Sequence, residues 1–149
     1  MLRGNLQAKI DDKGRLKVPS AFRAFIEEQH GPQPQLFVTS LSGEYVLLYP
    51  LPVWEEKERK LAEVPSTLPA RSRYLDRINY FGQVAELDKQ GRVLIHQRLR
   101  DSAQINGEVD VFGNQDHLKV WNHDRFVATK LQGEQLTDQD LQDLAKYGI

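Results

Sequence analysis

No cysteine occurs in the 149 residues, which removes disulfides, thiolate metal sites and cysteine nucleophiles together. Histidine is sparse, and His30, His96, His117 and His123 form no helical i, i+4 pair, so no metal site is expected. Long apolar runs are missing, since nothing approaches the roughly 20 residues of a membrane span. Arg3, Gly4, Asn5, Gln7 and Lys9 interrupt the first ten residues, so a signal peptide is not expected and a soluble cytoplasmic protein is. Gly14 and Gly91 stand alone, without the G-x-G or Lys-Ser/Thr context of a phosphate loop. No serine elbow is present. Asp11 and Asp12 are no catalytic carboxylate pair, because neighbours on extended backbone point to opposite faces. No catalytic residue, cofactor or small-molecule substrate is therefore expected. The net charge of -1 gives no global pull toward DNA or an anionic membrane. What remains, 40% hydrophobic and 28% charged, is a globular chain able to build a core.

Within that chain lies an internal repeat. The segment Asp11-Asp12-Lys13-Gly14-Arg15-Leu16-Lys17-Val18 aligns with Asp88-Lys89-Gln90-Gly91-Arg92-Val93-Leu94-Ile95, and flanking residues keep the same order. Ala8 and Ile10 fall on Ala85 and Leu87, and Phe22-Arg23 on Leu99-Arg100; Leu36-Phe37-Val38 resembles Val109-Asp110-Val111 after a small loop difference. Each half reads as strand, strand, helix, strand, strand. The first pair, 6–10 with 15–18 and 83–87 with 92–95, is expected to be a hairpin with a tight glycine-containing tip. Helices are predicted over 20–28, with Ser20 as N-cap, and over 97–103. Strands 35–39 and 44–49 turn at Ser42-Gly43, and strands 108–112 and 117–121 turn at Gly113-Asn114. Two domains follow, 5–52 and 81–124, joined by a helical connector over 53–80. Residues 125–149 hold a helix capped by Asn122 and an acidic tail in which Thr137 and Asp140 have capping-box spacing. Trp54 and Trp121 are expected to be core anchors.

The chemistry of the repeated Asp-x-x-Gly-Arg turn follows from its residue types. Asp11 and Asp88 can accept bonds from backbone N–H groups two residues on, while Gly14 and Gly91 supply the positive φ of a tight tip. These four residues shape the turn. Arg15 and Arg92 are then held out from the body, each with a rigid five-donor fork. Such a fork reaches phosphate, or pairs with N7 and O6 of guanine in a major groove wide enough for a β-ribbon, at about 1 to 3 kcal/mol of discrimination per pair. A solvated surface arginine fits a single such turn equally well; two copies in register favour a contact. Charge is segregated accordingly. Residues 1–23 carry Arg3, Lys9, Lys13, Arg15, Lys17 and Arg23 against Asp11 and Asp12. Residues 88–100 carry Lys89, Arg92, Arg98 and Arg100 against Asp88, whereas the tail carries Glu134, Asp138, Asp140 and Asp143 against Lys146.

The opening Arg3-Gly4, the run from Ile10 to Pro19, Phe22-Arg23, Leu47-Leu48-Tyr49-Pro50 and Trp54 resemble MraZ proteins. The second Asp88-x-x-Gly-Arg92, with Arg98-Leu99-Arg100 and Val120-Trp121, resembles that family's second half. The resemblance implies tandem SpoVT-AbrB domains: an α+β, β-rich fold in which the strands of two halves interlock as an AbrB-like swapped-hairpin β-barrel, with connecting and C-terminal helices. It further implies a nucleoid-associated transcriptional regulator that assembles as a ring-like homo-oligomer. Its partner would be double-stranded DNA, at short direct repeats upstream of the division and cell wall gene cluster, which it would repress. Arg15 and Arg92 become the prime contacts, Lys13 and Lys89 flanking ones, and Arg3, Lys9 and Lys17 further basic candidates. Glu86 replaces Lys9, Leu94 replaces Lys17 and His96 replaces Pro19 in the second copy, so the first turn is expected to dominate. Ring assembly would substitute avidity for the missing net charge. The rival expectation is an antitoxin-like or scaffold protein-binding module without direct DNA readout.

Overall fold

The computed structural model describes residues 1–149. Each half supplies four strands and a helix: β1 (Leu2–Lys9), β2 (Arg15–Lys17), α1 (Ser20–His30), β3 (Gln35–Thr39) and β4 (Val46–Pro50), then β5 (Gln83–Glu86), β6 (Arg92–Leu94), α4 (Gln97–Ala103), β7 (Glu108–Gln115) and β8 (His117–Asn122). Between them run α2 (Leu51–Glu63) and α3 (Pro69–Phe81), each opened by a proline in its first turn, where the missing N–H costs nothing. After β8 come a short α5 (His123–Phe126), a π-helical stretch Val127–Leu131 and α6 (Asp138–Ala145). The fold is α+β with antiparallel strands.

Strand pairing departs from the expected hairpins. β1 and β2 touch as strands only through the bridge Ile10–Leu16, and β2 instead pairs with β6 of the other half. β1 pairs with β7, and β5 pairs with β3. The result is one six-stranded sheet ordered β1-β7-β8-β4-β3-β5 and a separate two-stranded ribbon, β2-β6. The sheet ends on β1 and β5, so the ladders do not close into a barrel. A local hairpin loses here because β2 and β6 are three residues each. Too short to be stable as separate hairpins, they gain from pairing with each other over a shared core.

Burial follows the pleat. Leu16 and Val93 are cross-strand partners, both fully buried under the ribbon, and they join Val18, Ile95, Phe22, Ile26, Leu99, Val46, Leu48, Val111 and Val120 in the main core. The opposite face of β4 carries Leu47 and Tyr49, which pack with Trp54 of α2 and Ile78 of α3. Every residue of β4 is therefore buried, because both of its faces are covered. Trp54 stacks on Phe37 with ring centres 4.9 Å apart, and Trp121 meets Tyr45 at 5.2 Å, so both tryptophans are core anchors as expected.

Several ends fall differently from the sequence reading. Pro19, not Ser20, occupies the N-cap of α1, and His96 takes the matching place before α4. Neither residue gives a side-chain cap; their carbonyls accept the backbone N–H groups of Arg23 at 2.9 Å and Arg100 at 3.0 Å. The β7–β8 turn lies at Gln115-Asp116 rather than Gly113-Asn114, since Gly113 and Asn114 remain in register with Leu118 and His117. Asn122 does cap α5, its Oδ1 accepting from the Arg125 backbone N–H at 3.0 Å. Thr137 and Asp140 form the anticipated reciprocal capping box at the start of α6. No helix is long and apolar enough to cross a membrane.

Candidate nucleic-acid interface

Both repeated turns are built by the same bonds. Asp11 Oδ1 accepts from the backbone N–H groups of Lys13 and Arg15, each at 2.9 Å. Asp88 Oδ1 accepts from Gln90 at 2.8 Å and Arg92 at 3.0 Å. The Asp11 N–H donates to the Arg15 carbonyl at 2.9 Å, and the Asp88 N–H to the Arg92 carbonyl at 3.0 Å. Gly14 (φ 82°) and Gly91 (φ 76°) turn the chain in the left-handed region. The donated backbone N–H of Arg15 holds the Asp11 carboxyl below its ordinary range, and that of Arg92 does the same for Asp88. Both carboxylates thus stay ionised and keep their turns closed at neutral pH.

Strand exchange brings the two turns together. The Val18 N–H donates to the Gly91 carbonyl and the Ile95 N–H to the Gly14 carbonyl, both at 2.9 Å. In the ribbon between them Arg15 faces Leu94, and Lys17 faces Arg92. Cross-strand partners project on the same side. With Leu16 and Val93 buried beneath, the outer face is a two-by-two array of Arg15, Leu94, Lys17 and Arg92.

The arginines are held unequally. The Arg15 Nε donates to Asp11 Oδ2 at 3.1 Å, and its side chain is 37% exposed. That bond leaves its four terminal N–H donors free and sets the direction of the fork. Arg92 instead spends a terminal nitrogen, Nη1, on the Gln90 side-chain oxygen at 2.8 Å. Lys17 Nζ donates to the Gln90 carbonyl, tying the first copy's lysine to the second copy's tip. Lys13 and Lys89 project from the two tips and are exposed. Lys9 lies at the end of β1 beside the first turn, 4.0 Å from Glu108. Arg3 is six residues back along that strand, roughly 20 Å away at the usual rise per residue. The structure therefore gathers Arg15, Arg92, Lys13, Lys89 and Lys17 around the ribbon, and it does not gather Arg3.

Two further arginines belong to this assembly and were absent from the candidate set. Arg23 of α1 reaches the second turn, its Nη2 donating to the Lys89 carbonyl at 2.7 Å while its Nε binds Glu27 at 2.8 Å. Arg100 of α4 lies over the first turn, where a Cβ on Gly14 would stand 2.5 Å from its guanidinium carbon. Its Nε donates to the Ile95 carbonyl at 2.7 Å. Each turn is therefore braced by the helix of the opposite half. The repeat had aligned Arg23 with Arg100; without the strand exchange nothing linked either one to the other copy's turn.

Residues 1–77 and 83–144 match the family model of the MraZ protein, described as antitoxin-like. The chain belongs to the MraZ family. It is 47% identical over the full length of both chains to the transcriptional regulator MraZ of Acidobacterium capsulatum. It is 44% identical, again over both full lengths, to the protein of that name from Koribacter versatilis. With the MraZ regulator of Acidithiobacillus ferrooxidans it shares 38% identity over 86% of this chain and 87% of the relative. The family match leaves out residues 78–82, where α3 passes into β5, and residues 145–149 at the end of the chain.

Proposed function

We propose that this protein is a sequence-specific DNA-binding transcriptional regulator whose contact surface is the β2-β6 ribbon and its two flanking turns. The observation that carries the reading is the convergence of both Asp-x-x-Gly-Arg motifs on one exposed ribbon face, with Arg15, Lys17 and Arg92 side by side. The names of the MraZ relatives support it. A two-stranded ribbon fits the major groove, where the free fork of Arg15 would pair with guanine N7 and O6 while Lys13, Lys89 and Lys17 meet phosphates. Arg3 and Lys9 would contribute from the β1 side of the surface.

The halves 5–52 and 81–124 are read as two SpoVT-AbrB domains joined by 53–80, with 125–149 outside them. The exchanged pairings β1-β7, β3-β5 and β2-β6 support an intramolecular version of the AbrB-like swapped hairpin. The target is short direct repeats upstream of the division and cell wall gene cluster, the outcome is repression, and the working state is a ring-like homo-oligomer associated with the nucleoid in the cytoplasm. Such multivalency fits the near-neutral net charge, since the few cations gathered at one ribbon give weak binding at physiological salt.

Electrophoretic shifts on duplexes carrying one, two and three repeats test the reading. Affinity rises steeply with repeat number and falls with salt; equal binding to one and three repeats with no salt slope would sink it. A protein-binding module is the second reading, favoured by α6, whose Leu141 and Leu144 are exposed beside Asp138, Asp140 and Asp143. Full DNA retention by the double variant Arg15→Ala/Arg92→Ala would remove the ribbon as the contact surface, and failure of the unaltered protein to bind any duplex would decide for that module.

A further inference from the structure

Leu94 is out of place on the ribbon. The residue is 47% exposed in an array otherwise made of Arg15, Lys17 and Arg92, while the neighbours Val93 and Ile95 are fully buried. The repeat sets Leu94 at the position Lys17 holds in the first copy. Lys17 donates to the Gln90 carbonyl and carries a positive charge that attracts phosphate, and a leucine does neither. An apolar side chain on a groove-facing ribbon has one apolar feature to meet on the edges of the bases, the C5-methyl group of thymine. Leu94 stands directly across from Arg15, and facing Cβ atoms in such a pair lie about 5 Å apart. Base pairs stack about 3.4 Å apart, so the two side chains reach neighbouring base pairs.

Resting on the DNA-binding reading above, we infer that Leu94 is a specificity-determining residue that reads the methyl group of a thymine in the base pair adjoining the guanine read by Arg15. The ribbon then distinguishes the two ends of its site although its backbone is nearly two-fold symmetric. Arg15 with Leu94 reads bases at one end, and Lys17 with Arg92 at the other contributes mainly phosphate contacts. The inequality of the two repeats becomes a device for orienting the protein on a direct repeat, which has a direction.

The test uses the full-length protein and a randomised duplex library. Selection yields a motif with thymine one base pair from an Arg15-dependent guanine, and remaking the selected duplex with deoxyuridine at that thymine removes only the methyl group. Wild-type binding weakens about three- to fivefold per site, as expected for one buried methyl. Leu94→Ala binds the thymine duplex more weakly by a similar factor and is indifferent to the deoxyuridine exchange. Leu94→Lys is likewise indifferent but gains salt dependence. Equal wild-type affinity for the two duplexes, or a full deoxyuridine penalty retained by Leu94→Ala, overturns the role of Leu94 while leaving the regulator intact. Recovery of no enriched motif overturns both readings.

Discussion

The two turns of this chain share a backbone and differ in what that backbone presents. At Asp11–Arg15 the aspartate binds two backbone N–H groups and the arginine Nε, so one carboxylate both closes the turn and aims the fork. At Asp88–Arg92 the aspartate binds only the backbone N–H groups, and the fork is partly occupied by Gln90. Lys17 of the first strand becomes Leu94 in the second. Duplication thus preserved the shape of the tip, which depends on Asp and Gly, and released the exposed positions to diverge. Shape is constrained twice over, because each tip also docks on the other's strand through Val18 and Ile95.

The most damaging way to probe this pairing is to empty its shared core. Leu16→Ala should cost about 2 to 5 kcal/mol and Val93→Ala less, because fewer atoms are lost; denaturant unfolding measures both. Comparable losses would mean that the two strands contribute equally to the ribbon. Next in size is the contact itself. Arg15→Ala should weaken DNA binding by about 1 to 3 kcal/mol per site, and Arg92→Ala by less, with titrations at several salt concentrations as the readout. An Arg92→Ala defect as large as that of Arg15→Ala would erase the proposed inequality.

Strain at the tips comes third. Gly14→Ala and Gly91→Ala each place a Cβ at positive φ, at about 1 to 2 kcal/mol. Gly14→Ala also meets the Arg100 guanidinium at 2.5 Å, whereas Gly91→Ala meets Arg23 Cδ at 2.9 Å. Thermal melts should therefore rank Gly14→Ala as the more destabilised. Acid gives a gentler contrast. Both aspartates titrate below their ordinary value of 3.8, so the stabilisation they give is present above that pH and is lost as pH falls through the depressed folded values. The additional bond from the Arg15 side chain should keep the first turn closed to lower pH than the second, seen as later broadening of the Arg15 than the Arg92 amide signal. The smallest effect belongs outside both halves. Removing residues 134–149 should change stability by less than about 0.5 kcal/mol, because α6 buries none of its side chains.

The sequence alone disclosed the repeat, the residues that shape each tip, the strand and helix order, the capping box at Thr137 and the unequal distribution of charge. These are local properties: an Asp-x-x-Gly turn and a capped helix close over four or five residues, and alternation marks a strand whatever it pairs with. Partner choice is not local. That β2 pairs with β6, that Arg15 stands across from Leu94, and that Arg23 and Arg100 each brace the opposite turn were decided by tertiary structure alone. Three-residue strands have too little backbone to hold a hairpin by themselves, so their pairing was set by the core that Leu16 and Val93 could share.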